Sequence, residues 1–297
     1  MIVMLLTTQN EADVLRLNLA HHLAWGADHI GVCDNESSDH TVEVVRSFGS
    51  VVTHNRFRDF AERQRHRMDT LERIKQRVGP VDWVGVSDTD EFLWAPDVRL
   101  PDLFVDVPDD VVAVTFHQRL FLPTAADAPD GPVYRRQTHR TGSYDSALHT
   151  SYREGKTFYR GSWLTRITSE HRGHDVPHEV WSPPDPFAVH HYMIRDEDQF
   201  VMKVKRLSSW RERKGLKSKL WYQSLRKGIG MPLPPFVAGF KATWWNVYRE
   251  GGESGLRAYY RDTYRVQTAD LPGLIASGDL VHDTAFAAWT TAQGLGS

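Results

Sequence analysis

One cysteine, Cys33, is all the sequence offers for redox or disulfide chemistry, so no disulfide framework can form within the chain and a reducing compartment suits it. It falls in the apolar run His29-Ile30-Gly31-Val32-Cys33, where a buried core thiol is expected rather than a nucleophile. No run of about 18 apolar residues occurs, which predicts no membrane-spanning helix. Met1 to Leu6 lacks a basic stretch and is too short for a signal peptide, so the expected location is cytoplasmic. An excess of either charge is missing too. Lys and Arg number 36 against 38 Asp and Glu, a formal charge of −2, which argues against a polycation built for nucleic acid. Internal repeats and low-complexity tracts are absent. The apolar share of 40% and charged share of 25% are those of an ordinary globular protein. A chain of 297 residues suffices for one large α/β domain, or for a core with a helical appendage.

The N-terminal third alternates strands with helices. Ile2-Val3-Met4-Leu5-Leu6 reads as a buried strand. Asn10 is the expected cap of a helix running to about Gly26, with Val14, Leu15, Leu19 and Leu23 at helical spacing. His29 to Cys33 is a second strand, and Asp39 or Thr41 opens a second helix. Residues 51–53 form a third strand. Asp59 to Val78 is a long polar helix with Phe60, Met68, Leu71, Ile74 and Val78 inward, stopped by Gly79-Pro80. Residues 83–87 form a fourth strand. Such alternation indicates βαβ units, and strands without polar alternation imply a parallel sheet covered on both faces. Val111 to Phe116 reads as a further strand. Residues 125–186 look like loops with short strands, and from about Gln199 the chain turns helical.

Ligands of a parallel sheet bind outside the carboxyl ends of its strands. Past the first strand come Thr7, Thr8, Gln9, Asn10 and Glu11. Asp34, Asn35, Ser37, Ser38 and Asp39 follow the second, and Asp88, Thr89, Asp90 and Glu91 the fourth. One crevice therefore collects many carboxylates, which repel one another unless a cation neutralises them. A hard divalent ion with oxygen ligands, Mg²⁺ or Mn²⁺, is expected. In extended chain Asp88 and Asp90 face the same way, with Thr89 turned back. A metal there suits the two phosphates of a nucleotide sugar. The bland alternative is a solvated acidic turn. Acid-x-acid alone is a weak signal, since Glu11-Ala12-Asp13 and Asp196-Glu197-Asp198 share it without following a buried strand. Asp34 and its loop suit a nucleoside, with Asp39 free to cap the next helix.

These pieces in order resemble the bacterial family-2-like glycosyltransferases with the GT-A fold. Asn10-Glu11 with Leu15, His21-His22 and Gly26 is similar to the family's opening helix. Asp34-Asn35-x-Ser37-x-Asp39-x-Thr41 resembles its second loop, and Asp88-Thr89-Asp90-Glu91-Phe92 its D-x-D-E-F motif. Arg119-x-Phe121-x-Pro123, Lys156, Gly173-His174, His191-Tyr192, Gln199-Phe200 and Lys203 are similar to later blocks. The resemblance covers about residues 1–205. It implies an inverting GT-A transferase moving a sugar from a nucleotide-diphosphate donor to an acceptor hydroxyl. Its Rossmann-like, mostly parallel sheet would lie within residues 1–205, with a mainly helical C-terminal extension over 206–297. On this resemblance Asp34 touches the nucleoside, Asp88 and Asp90 lie at the metal and phosphates, and a later histidine completes the metal site. His191 is favoured for the metal and His174 for the donor. Thr8, Asn10, Glu11, Asn35, Thr89 and Lys156 complete the expected donor contacts. Inversion needs a general base. Glu91, Asp145 and Glu170 are its candidates, and Glu91 has the alternative of merely supporting the metal site.

Two rival classes use the same acids. A metal-dependent phosphohydrolase or nucleotidyltransferase would share the crevice, but Thr7-Thr8-Gln9-Asn10 lacks the glycine of a phosphate loop. A non-catalytic sugar-binding protein could keep the fold. Residues 203–227 carry ten Lys or Arg against Glu212, which suits peripheral contact with anionic membrane lipid or an acidic acceptor; a solvated helix face is the plain alternative.

Overall fold

The computed structural model describes residues 1–142, 155–164, 167, 180–183, 187–214 and 235–295. Four parallel strands form the half of the central sheet that carries the expected motifs: β1 (Ile2–Thr8), β2 (His29–Asp34), β3 (Val52–Arg56) and β4 (Trp83–Asp88). β1 and β2 are buried along their whole length, as expected of strands covered on both faces. Between them run α1 (Ala12–Trp25), α2 (Thr41–Ser47) and α3 (Arg63–Val78). α1 ends at Gly26, whose φ of 123° and close approach to Pro101 both require glycine. On α3 the inward stripe is Arg67, Thr70, Leu71 and Ile74, whereas Phe60, expected inward, precedes the helix and is 39% exposed.

The sequence order then departs from simple alternation. After β5 (Glu91–Trp94) and α4 (Leu100–Val105), β6 (Ala113–Phe116) returns to the sheet, followed by β7 (Gln118–Leu120), α5 (Val133–Arg136) and β8 (His139–Thr141). β9 (Lys156–Arg160) inserts antiparallel between β4 and β6, and β10 (Val180–Trp181) adds to β6. The sheet order is β10-β6-β9-β4-β1-β2-β3, parallel except for β9. The architecture is α/β with a mostly parallel central sheet flanked by helices. β9 lay within the stretch expected to be loops with short strands, and it is an inner strand of the main sheet. β11 (Ala188–His191) forms a second small sheet, antiparallel to β5 and parallel to β7.

The C-terminal part is mainly helical. α6 (Glu197–Lys214) starts where Asp196 accepts the Gln199 N–H, and α7 (Pro235–Tyr259) is kinked at Gly252. Phe200, Trp244, Leu256 and Tyr260 make a second core with Leu120, Leu122 and Ile194. α8 (Leu271–Ala276), β12 (Leu280–His282) and α9 (Ala285–Ala292) then return to the main body. β12 pairs with β8, and Phe286 enters the main core beside His21, Phe92, Trp94 and His190. Cys33 is buried in that body, its thiol pushed up by burial.

His21 and His190 sit deep among these aromatic rings, and desolvation pushes them down to about 4 and about 3. Both are neutral when folded, while the unfolded chain takes up their protons near pH 6.5. Stability is therefore full above about pH 6.5 and falls as pH drops toward 4. Melting temperature measured from pH 7.5 to 4.5 should fall accordingly. His190→Phe should flatten that slope, whereas an unchanged slope would remove His190 from the cause.

Candidate functional site

β1 is the point where the sheet turns direction, with β2 on one side and β4 on the other. The register sets Thr8 level with Asp34 and Thr7 level with Asp88. Thr8, Asp34, Asp88 and the turn after β4 therefore share one end of the sheet, at the switch point where open α/β sheets bind ligands. The hydroxyls of Thr7 and Thr8 are buried there without a hydrogen-bond partner among the described residues.

The 34–39 loop is tied to the end of β1. Asn35 N–H donates to Thr8 O at 2.9 Å, Asn10 N–H to Ser37 Oγ at 2.9 Å and Ser38 N–H to Asn10 Oδ1 at 2.7 Å. Asn10 is thus a staple between loops, held at φ 54°, and not the helix cap expected. Its side chain is committed to Ser38, so α1 takes its cap from elsewhere: Ala12 N–H donates to Asp39 Oδ2 at 3.1 Å. Asp39 Oδ1 also accepts from Thr41 N–H and Oγ. Asp34 is fully buried. Burial alone would raise its carboxyl, but His54, 3.3 Å from Oδ2, and Ser37, through its N–H and hydroxyl, bring it below the usual range.

Asp88 ends β4 and Thr89-Asp90 form the turn to β5, so the triplet is not extended throughout. Thr89 faces back, as expected, through its hydroxyl to Thr7 O at 2.9 Å. The two carboxylates, however, part company. Asp88 is one-third exposed and meets Lys156 Nζ at 3.0 Å and Arg67 Nη2 at 3.4 Å. Asp90 is buried and meets Lys203 Nζ at 2.9 Å, with His191 Nε2 3.6 Å from its other oxygen. Burial would raise Asp90, but Lys203 and then His191 hold it well below the usual carboxylate range. The crowding that argued for a divalent ion is thus relieved by the chain's own cations, which come from α3, β9 and α6. Glu11 differs: burial and then Asp90 leave its carboxyl above the usual range, although Arg195, Lys203 and Arg206 pull it the other way. Arg195 also binds Asp13 at 2.7 Å.

Glu91 lies beneath this turn, 1% exposed. Oε2 accepts from Ser87 Oγ, from Asp88 N–H and from Lys156 Nζ at 2.9 Å, while Oε1 accepts from Gln118. Both oxygens are engaged in bracing the turn. Lys156 sits between Glu91 and Asp88 rather than open to a donor. The other two candidate bases, Asp145 and Glu170, and the donor candidate His174 lie outside the described residues.

A metal's requirements can be compared with these side chains. Asp88 and Asp90 are hard oxygen donors, and the His191 imidazole lies beside Asp90. The residue types fit Mn²⁺ or Mg²⁺, with Lys203 occupying one Asp90 oxygen. No group of three His, Cys, Asp or Glu among the described residues is drawn together as a ready cage.

Asn18 escaped sequence reasoning. It stands in the buried stripe of α1 at 0% exposure, and its amide donates to Thr89 O at 2.9 Å and Glu91 O at 2.8 Å. A polar residue between Leu15 and Leu19 was the available signal. Arg67, on the inward stripe of α3, offered the same one. Asn18→Ala leaves two buried carbonyls without their donor, and chemical denaturation should show a loss of about 2 kcal/mol. A loss under about 0.5 kcal/mol would mean that the amide does not hold the turn.

No family model matches the chain, and no curated protein matches it. Among solved structures it is similar to S. aureus TarS 1-349 in complex with UDP, with 11% identity and a TM-score of 0.43 over 92% of this chain and 78% of that one. It covers 39% of a longer S. aureus TarS chain at a TM-score of 0.41 and 12% identity. It is also similar to the mannosyltransferase PcManGT from Pyrobaculum calidifontis in complex with GDP-Man and Mn²⁺, with 14% identity and a TM-score of 0.40 over 99% of this chain and 80% of that one.

Proposed function

We propose that the chain is a glycosyltransferase of GT-A type that takes a sugar from a nucleotide-diphosphate donor. The observation that carries this reading is the joint placement of Thr8, Asp34, Asp88 and Asp90 at the switch point of the sheet. The nucleoside is assigned to the Asp34 loop, where carboxylates at such strand ends accept from ribose or base. The diphosphate then reaches the turn after β4.

When bound at Asp88 and Asp90, Mn²⁺ or Mg²⁺ supplies positive charge to the departing diphosphate. His191 is the third candidate ligand, from β11. Lys203 and Arg206, reaching in from α6, add fixed positive charge near the same turn. Glu91 braces Asp88 from below, which leaves Asp145 and Glu170 as candidates for the base that deprotonates the acceptor. Residues 1–205 are proposed as the donor-binding and catalytic unit, and 206–297 as a mainly helical extension bound back to it through β12 and α9. The basic segment 203–227, proposed to face an anionic acceptor or membrane lipid, lies largely outside the described side chains. No helix among the described residues is long and apolar enough to cross a membrane.

UDP-, GDP- and TDP-sugars incubated with Mn²⁺ should yield free sugar and nucleoside diphosphate when no acceptor is present. Sugar phosphate with nucleoside monophosphate would favour the phosphohydrolase class, and no turnover of any donor would favour the sugar-binding one. Asp90→Asn keeps the shape and removes the charge, so turnover should fall by about 100-fold or more. EDTA should silence the wild type reversibly. Near-normal turnover by Asp90→Asn would overturn the assignment of the turn.

A further inference from the structure

The ammonium of Lys203 sits where a cation bound to Asp90 would sit. It donates to Asp90 Oδ2 at 2.9 Å and to Met193 O at 2.9 Å, and these two contacts leave one N–H of the three. Its neighbour one turn on, Arg206, donates to Gln9 O, so the start of α6 is stitched across the loop that follows β1. Lys156 plays a different part. It is fully buried on β9 and bridges Asp88 and Glu91, so it cannot leave without stranding two carboxylates. Lys203 keeps 17% of its side chain exposed and is ion-paired with one carboxylate, Asp90, which has His191 as its other neighbour, while its charge also acts on buried Glu11. Of the two lysines on this turn, Lys203 is the one able to move.

We propose that Lys203 is a resident cation that a divalent metal displaces, and that its freed ammonium then turns to the donor's diphosphate. This deepens the metal and donor reading of the same turn and rests on it. Two physical reasons carry it. A metal and an ammonium 2.9 Å from the same carboxylate oxygen compete, both for the lone pairs and by mutual repulsion. Displacement also costs little once donor is present, because the ammonium exchanges one anionic oxygen for another. Without donor it would lose its carboxylate with no anion in return, so metal alone binds weakly. Metal and donor therefore reinforce each other's binding through this side chain. Nothing covalent changes; one charge-assisted hydrogen bond is exchanged for another.

The test is Mn²⁺ binding, followed by electron paramagnetic resonance and calorimetry, with Mn²⁺ alone and with Mn²⁺ plus UDP or GDP. Lys203→Met should bind Mn²⁺ alone about tenfold or more tightly than wild type, since no ammonium has to be displaced. It should bind Mn²⁺ with UDP or GDP more weakly than wild type, since the phosphate contact is lost. A merely structural lysine would not move the two constants in opposite directions. Lys203→Arg keeps a resident cation and should stay near wild type for Mn²⁺ alone. The wild type gives an independent readout should the Met variant fail to fold. Acylation of Lys203 by an amine-reactive ester, followed by mass spectrometry, should quicken with Mn²⁺ alone at saturating concentration and slow again when UDP or GDP is added. Unchanged Mn²⁺ affinity in a folded Lys203→Met, or acylation indifferent to Mn²⁺, would overturn the exchange while leaving the donor site standing. Wild type that binds Mn²⁺ with neither UDP nor GDP would instead overturn the metal reading beneath it.

Discussion

The ion pair between Asp90 and Lys203 joins parts of the chain that lie 113 residues apart. Around it, the acids of the turn after β4 and of the start of α1 find cations from distant stretches. Asp88 is met by Arg67 on α3 and Lys156 on β9, Glu91 by Lys156, and Asp13 by Arg195 just after β11. Buried charges are expensive, and pairing them roughly repays the desolvation rather than adding a surplus. Their effect is on geometry. The turn after β4 can be placed only when β9, β11 and α6 are placed too, so the candidate site is completed by late elements of the chain.

A second constraint comes from the backbone. After Asp88 the chain leaves the β4 ladder, so the carbonyls from Thr89 to Glu91 need donors that β4's neighbours no longer supply. Asn18 provides them for Thr89 and Glu91, and Tyr192 N–H donates to Asp90 O. α1 therefore does two things with one buried stripe. Leu15 and Leu19 pack the sheet, and Asn18 between them fixes the loop that follows a strand 71 residues further on. This accounts for a buried amide between two leucines of α1.

What could be read from the sequence follows from the range of the interactions involved. β1 to β4 and α1 to α3 are set by apolar runs and helical spacing, both local, and the acids past each strand follow from them. The metal argument started from the same list and stopped there. It took the acids past all three strands, Glu11, Asp34, Asp39, Asp88, Asp90 and Glu91, and asked what neutralises them, but the lysines that meet Asp88 and Asp90 stand 68 and 113 residues from them. No local pattern pairs them. β9 was not singled out among the short strands expected over 125–186, because its place between β4 and β6 is decided by pairing across the sheet. Asn10 failed differently. It has a cap's chemistry, but its side chain is spent on Ser38, and Asp39 takes over the first turn of α1.

The internal pairing also limits how a donor can enter. A nucleotide diphosphate brings negative charge to a turn whose carboxylates are already matched by lysine and arginine. Added alone, it would leave that balance in deficit, and the field of Asp88 and Asp90 would oppose it at short range. Two routes restore balance. A divalent ion can enter with the diphosphate, or a resident cation can shift from carboxylate to phosphate. Both routes act on the same oxygens of Asp90, and Lys203 is the partner that either one has to dislodge. On the proposed function, the charge arrangement would make cation and diphosphate arrival interdependent. It also gives α6 a reason to start where it does, with Lys203 and Arg206 one turn apart and both turned toward the end of β1.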